Sequence, residues 1–201
     1  REKKKAIFIT HPIERYSCKT IAWATGASQS YRYMNEHINF FNNLNDDIQK
    51  NFIFRVSKNA DDLYKTHYIN RIQKNFPNIE IDTRNLKLYE QLNNCKLACS
   101  SYNSTSFLQT LSMNYPTLIF WNNHYFELRE SSIKYFEKLK SSGIFHTSAI
   151  SASNHINSIW SDIDRWWKSD KVQESRKFFC DNYVKIKNNK NYELSKLIKE
   201  I

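Results

Sequence analysis

The residues best suited to chemistry crowd a single turn. Ser101, Asn103, Ser104, Thr105 and Ser106 follow the short apolar run Leu97–Ser100. Phe107, Leu108, Leu111 and Tyr115 come next at helical spacing, Pro116 breaks the pattern, and Thr117–Trp121 is continuously apolar. The spacing predicts strand, hydroxyl-rich turn, helix over Ser104–Tyr115, and strand. A helix N-terminus presents unpaired backbone N–H groups and a partial positive charge, so it favours a phosphate or carboxylate. Ser and Thr are equally ordinary helix caps. Spacing alone leaves a ligand site and a plain cap both open.

Strands alternating with helices must position this turn. Ala6–Thr10 reads as a buried strand ending at His11-Pro12, and Phe52–Val56 as a second. Ile79–Ile81, after Pro77, reads as a third, with Ile144–His146 as a short sixth. Helices are expected over Tyr33–Gln49 (with Ile38, Phe41, Leu44 and Ile48 on one face), Asp61–Asn75, Leu86–Asn93 and Glu127–Ser142, the last stopped by Gly143. Ile13–Tyr31 reads as a long polar loop, and Ser151–Tyr183 as two helices around Asp164–Asp170. Lys185–Ile201 reads as a charged tail. This alternation implies an α/β fold: a doubly wound, mostly parallel, Rossmann-like sheet in the order 3-2-1-4-5-6, with C-terminal helices packed on it. Ligands of such sheets bind beyond the carboxyl ends of the strands. That places candidate residues at His11, Arg55 to Lys58, Ser101 to Ser106 and Asn122 to Arg129.

Composition narrows the chemistry. The 201 residues include only Gly26 and Gly143, which excludes a glycine-rich phosphate loop. Any phosphate must be held by a helix N-terminus and side chains. The formal charge of +10 favours anionic partners without choosing among them. Cys18, Cys95, Cys99 and Cys180 form no CxxC pair, and a strand is expected to begin between Cys95 and Cys99. Buried reduced thiols are the reading, with no disulfide or metal. No apolar run reaches the about 18 residues of a membrane-spanning helix. The chain opens on Arg1 and almost at once on a strand, as a piece of a longer protein would.

Three stretches carry a resemblance: SSYNSTSFLQTLSMNYPTLIFWNNHYFELRE (100–130), SSIKYFEKLKSSGIFH (131–146) and the WW…VQESRKFFCDNYV pattern (166–184). Over roughly residues 50–185 the sequence resembles a transferase family from bacterial O-antigen and surface-polysaccharide gene clusters. That family looks like the GT-B glycosyltransferases, which place the active site between two Rossmann-like domains. The resemblance implies that residues 1–150 form the nucleotide-sugar-binding domain, that residues 151–201 are a helical extension packed on it, and that an N-terminal acceptor domain lies outside this chain. It implies a nucleotide-sugar donor, with Asn103, Ser104 and Thr105 at its phosphates and Glu127 toward its sugar or ribose. Arg55 and Arg129 are candidate cations for the phosphate. His11 is the one candidate general base, although a His before Pro also serves as a structural strand end. Glu127 and Arg129 have a plainer alternative as first-turn residues of a helix.

No DxD-type metal motif stands out, since Asp46-Asp47 and Asp61-Asp62 read as solvated helix surface. The expected donor site is metal-independent, with no cofactor beyond the nucleotide-sugar substrate. The implied acceptor is a saccharide or a lipid-linked saccharide. The implied location is cytoplasmic, with a membrane surface as a further candidate partner and the inner membrane as the place of peripheral attachment. Two rival functions remain. A basic nucleic-acid-binding module would use Tyr64, Lys65, His67, Tyr68 and Arg71 on one helix, but no nucleic acid is expected because Asp61 and Asp62 adjoin them. A folded donor domain that no longer turns over would look the same without its missing partner. The pair Trp166–Trp167 is expected to pack rather than bind.

Overall fold

A strand buried on both faces has to be apolar along its whole length. Ala6, Ile7, Phe8 and Ile9 satisfy this, each no more than 1% exposed. They belong to β1 (Lys5–Ile9), at the centre of one sheet. In the computed structural model, which describes residues 3–11, 27–56, 62–82, 86–124 and 126–184, the other strands are β2 (Phe52–Arg55), β3 (Glu80–Asp82), β4 (Cys95–Ser100), β5 (Thr117–Phe120) and β6 (Phe145–His146). Their order is β3-β2-β1-β4-β5-β6, and every pairing is parallel. This is the order the alternating pattern predicts.

The helices cover both faces. On one side α1 (Ala27–Asn42) packs against α3 (Asp62–Asn75) and α7 (Ala149–Ile159). On the other, α5 (Thr105–Ser112) and α6 (Glu130–Ser141) pack against α9 (Asp170–Tyr183). Short pieces complete the chain: α2 (Asp46–Gln49), α4 (Leu88–Leu92), a 3₁₀ turn over Trp160–Asp162, and α8 (Ile163–Lys168). Phe8 meets Phe40, Phe41 and Phe54 at 4.9–5.5 Å between ring centroids. Across the sheet, Trp121 meets Phe107, Phe136 and Phe145 at 4.7–5.8 Å. Aromatic pairs at such spacings add to their area burial.

Several elements differ from the sequence pattern. The expected single helix over Tyr33–Gln49 is two, broken at Asn43–Asn45. Asn157 of α7 pins the break: its amide donates to the Asn43 carbonyl at 2.8 Å and its side-chain oxygen accepts from the Asn45 N–H at 3.0 Å. Along α1, His37 is fully buried while Ile38 is only partly so. Phe41, Leu44 and Ile48, the other three residues of the expected face, are buried as the spacing predicts. β4 begins at Cys95, so Cys95 and Cys99 both lie inside it, as thiols. Burial pushes the Cys95 thiol up to about 11, which leaves it protonated and inert. The helix after β5 starts at Glu130, leaving Glu127 outside it. Ser151–Tyr183 holds most of α7, which begins at Ala149, then a 3₁₀ turn, α8 and α9 rather than two helices. Ala27–Tyr31, expected as the end of a loop over Ile13–Tyr31, instead opens α1; the rest of that loop, Cys18, Ser57, Lys58, Asp61 and the tail Lys185–Ile201 lie outside the described residues.

The C-terminal helices grip the back of α5. Arg176 donates to the Leu111 carbonyl at 2.9 Å, and the Trp167 indole N–H donates to the Asn114 carbonyl and side-chain oxygen, both at 3.1 Å. A guanidinium on the last carbonyls of a helix complements its dipole. Trp167 is thus packed, as expected, at 4% exposure. Trp166 is partly buried and donates to Ser142 at 3.1 Å.

Gly143 ends α6 in the left-handed region, at φ +78. A Cβ there would lie 2.6 Å from His155 Nε2. Gly143→Ala is expected to cost about 1–3 kcal/mol, from left-handed strain and from the collision. Equilibrium urea unfolding reads the loss, and adding His155→Ala should recover only the part due to the collision.

Candidate functional site

The carboxyl ends of β1, β4 and β5 converge at one end of the sheet, at the point where the chain order reverses. Ser101, just past β4, is tied to β1 by its own N–H, which donates to the Ile9 carbonyl at 3.1 Å. Its hydroxyl lies 2.9 Å from the Tyr33 hydroxyl, which accepts from the His11 N–H at 2.9 Å. Tyr102 then turns inward and its hydroxyl lies 2.9 Å from Ser106 Oγ in the first turn of α5. These contacts fix the path from β4 into the helix and leave Asn103, Ser104 and Thr105 at its head.

Ser104 stands at the N-cap position of α5 in an extended conformation, yet its side chain makes no capping hydrogen bond. The Ser148 and Asp162 caps elsewhere in the chain do accept from the helix N–H groups they face. Capping is therefore not what occupies the Ser104 hydroxyl. Asn103, Ser104 and Thr105 line an open cleft of about 550 Å³ together with Glu127, Leu128 and Arg129. Glu127 and Arg129 both precede α6, with Arg129 extended at its N-cap position. The reversal of direction that a regular helix would impose on residues two apart is thus absent. Two helix N-termini, of α5 and α6, open on the same space. Phe107, Phe136, Phe179 and Tyr183 supply an apolar wall. The last two come from α9, which the turn-and-helix pattern gave no reason to bring here; the signal was their place in the 166–184 pattern.

Arg55 and His11 do not line this cleft. Arg55 faces a second cavity, of about 580 Å³, on the other flank of α5, with Tyr89, Ser106 and Gln109. Its guanidinium donates to the Leu86 carbonyl at 3.4 Å. Burial lowers its pKa from the usual guanidinium value, with Tyr102 and Asp82 pulling the other way. It remains a cation. Among the described residues it makes no ion pair within 4.0 Å. His11 sits among aromatic rings, 5.5 Å from Tyr102 and 6.3 Å from Phe126 between centroids. Burial lowers its pKa to about 4, so it is neutral at pH 7 but a weak base. Among the described residues no three His, Cys, Asp or Glu side chains gather as a metal site would require. The helix considered for nucleic acid has lost one of its aromatics: Tyr68 is buried and bonded to His37.

A family model of LIC12162 family transferases matches residues 1–198. The chain belongs to that family. No curated protein matches it. Among solved structures, this LIC12162 family chain is similar to the wall teichoic acid polymerase TagF, in a form soaked with CDPG, at 14% identity and a TM-score of 0.52. The match covers all of this chain and 43% of TagF, so the chain spans less than half the length of that protein. The family member thus shares the α/β fold of a GT-B glycosyltransferase. Among the described residues no helix is long and apolar enough to cross a membrane.

Three histidines, His37 and His146 buried and His11 half-buried, predict the acid response. Burial lowers His11 and His146 from 6.5 to about 4, and His37 to about 3. The unfolded chain therefore takes up their protons first as pH falls, and stability rises with pH over that window. Stability should be full above about pH 6.5 and decline below it, with the His11 and His146 losses complete near 4. Urea midpoints between pH 7 and 4 measure this. A His11 ring signal titrating near 6.5 would contradict it.

Proposed function

We propose that this chain is the donor-binding half of a GT-B-like glycosyltransferase that transfers a sugar from a nucleotide-activated donor in bacterial surface-polysaccharide (O-antigen) synthesis. The observation that carries this is the cleft that gathers Asn103, Ser104 and Thr105 with Glu127 and Arg129 at the head of two helices. Membership of a transferase family and the TagF-like fold support it. TagF was soaked with CDP-glycerol, a nucleotide-linked compound of the same general kind as the proposed donor.

The chemistry follows from charge. A sugar nucleotide departs as a phosphate, so the site must stabilise negative charge developing there. In this reading the donor straddles the start of α5. Its phosphates meet the free N–H groups of the helix, the hydroxyls of Ser104 and Thr105, and Asn103. Its sugar extends toward Glu127 and Arg129. Its nucleoside enters the second cavity, where Tyr89 offers a half-exposed ring and Arg55 a cation, with Ser106 and Gln109 beside them. Both cavities fall within the size range of small-ligand sites. Helix N–H groups and guanidinium groups take the part a metal ion would otherwise play, so the donor site is metal-independent. His11 is not assigned as the catalytic base, because its pKa of about 4 and its aromatic surroundings suit a structural strand end. A saccharide or lipid-linked saccharide acceptor would be presented by a second domain, at the cytoplasmic side of the inner membrane.

A thermal-shift panel of UDP-, GDP-, CDP-, CMP-, TDP- and ADP-linked compounds tests the reading. At least one class should raise the melting temperature in the presence of EDTA; no shift with any of them would overturn it. With that compound, replacing Ser104 and Thr105 together by Ala should weaken binding by about 1–3 kcal/mol, the range for hydrogen bonds to a charged group. A fall in stability with affinity intact would return these residues to the role of caps. Glu127→Gln should weaken the sugar-linked compound while leaving the melting temperature nearly unchanged, since Glu127 is exposed and lies outside the helix. If it instead lowers the melting temperature at unchanged affinity, its role is structural.

A further inference from the structure

Tyr183 stands at the end of α9 with 43% of its surface exposed, and it lines the cleft shared by Glu127 and Arg129. Two neighbouring rings fix its orientation. Phe179 stacks on it at 4.8 Å and 28°, and Tyr135 meets it edge-on at 5.3 Å and 88°. Tyr135 is itself fixed by stacking on Phe178 at 5.0 Å and by donating to Asn182 Oδ1 at 3.0 Å. The Tyr183 hydroxyl makes no hydrogen bond among the described residues. A large, partly exposed ring is thus held in place on the wall of the cleft that the Glu127 carboxylate and the Arg129 guanidinium also line.

That combination suits one chemistry. A pyranose has a flat C–H face and a rim of hydroxyls. The face packs on the electron-rich face of an aromatic ring, while a carboxylate accepts from the hydroxyls and a guanidinium donates to them. An open-chain polyol such as glycerol has the hydroxyls but no such face. We propose that Tyr183 is the stacking platform for the donor's sugar and selects a pyranose-linked nucleotide over a glycerol-linked one. This rests on the donor-binding reading above and adds the class of the transferred group.

Titration calorimetry of the 201-residue chain tests it with probes that share a nucleotide: UDP beside UDP-glucose, UDP-galactose and UDP-N-acetylglucosamine, and CDP beside CDP-glycerol. In the wild-type chain at least one hexose-linked probe should bind about three- to tenfold more tightly than its bare diphosphate, and the glycerol-linked probe should show no comparable gain. Tyr183→Ala should abolish the hexose gain, and Tyr183→Phe should keep it. If the gain survives in Tyr183→Ala, or if the bare and linked probes weaken alike, the platform assignment is overturned while the donor-binding reading stands. An equal gain for glycerol overturns the selectivity. If no nucleotide of the thermal-shift panel, UDP and CDP included, binds the wild-type chain, the donor-binding reading fails and this inference falls with it.

Discussion

A parallel sheet covered by helices has no solvent face. Every strand residue must be apolar or hydrogen-bonded, and polar groups that act on a ligand can leave the core only where strands end. The central strand shows the constraint at its strictest: β1 is buried from Ala6 to Ile9, and the first residue past it with a titratable ring is His11. The same rule places Arg55, Ser101 and Trp121 at the ends of β2, β4 and β5. The convergence of candidate residues at one end of this sheet follows from burial. Sharing that end is therefore weaker evidence of function than lining the same cleft.

The head of α5 depends on what holds its tail. A helix of eight residues has little stability of its own. Here the contacts from Arg176 and Trp167 satisfy carbonyls at its C-terminus, and Phe107 and Leu111 are buried along its length. With the back of the helix clamped by α8 and α9, its unpaired N–H groups can face the cleft at a fixed angle. The C-terminal helices thus enter the site twice: they brace α5 from behind, and they deliver Phe179 and Tyr183 to the cleft wall.

Charge is organised locally rather than over the whole surface. The chain carries +10 overall, yet ion pairs among the described residues join side chains that are mostly exposed, such as Lys168–Asp164 and Lys177–Asp181. Pairs of this kind contribute little. The cations that matter to the proposed donor are Arg55, half-buried beside Tyr89, and Arg129 at the head of α6. One faces each flank of α5, so a phosphate at the head of the helix would lie between them.

The sequence by itself determined the fold class, the parallel strand order and the turn that carries the hydroxyls. Each is written in local spacing: continuous apolar runs where strands are buried twice, helical periodicity between them, Pro116 and Gly143 as stops. Local spacing also explains the errors. The single helix expected over Tyr33–Gln49 fails because Asn157, more than a hundred residues away, bonds the backbone at Asn43 and Asn45. Position after a strand also says nothing of which flank of α5 a residue lines: Arg55 leaves β2, on one side of β4 in the sheet, whereas the cleft at Ser104 opens toward α6 and α9. Only the tertiary structure decided that Glu127 belongs to the loop, that Ser104 does not spend its hydroxyl on the helix, and that Tyr183 from the last helix lines the same cleft as both. Contacts between residues far apart in the chain leave no period to read. They arise when two amphipathic faces find each other, and that is settled by packing the whole chain at once.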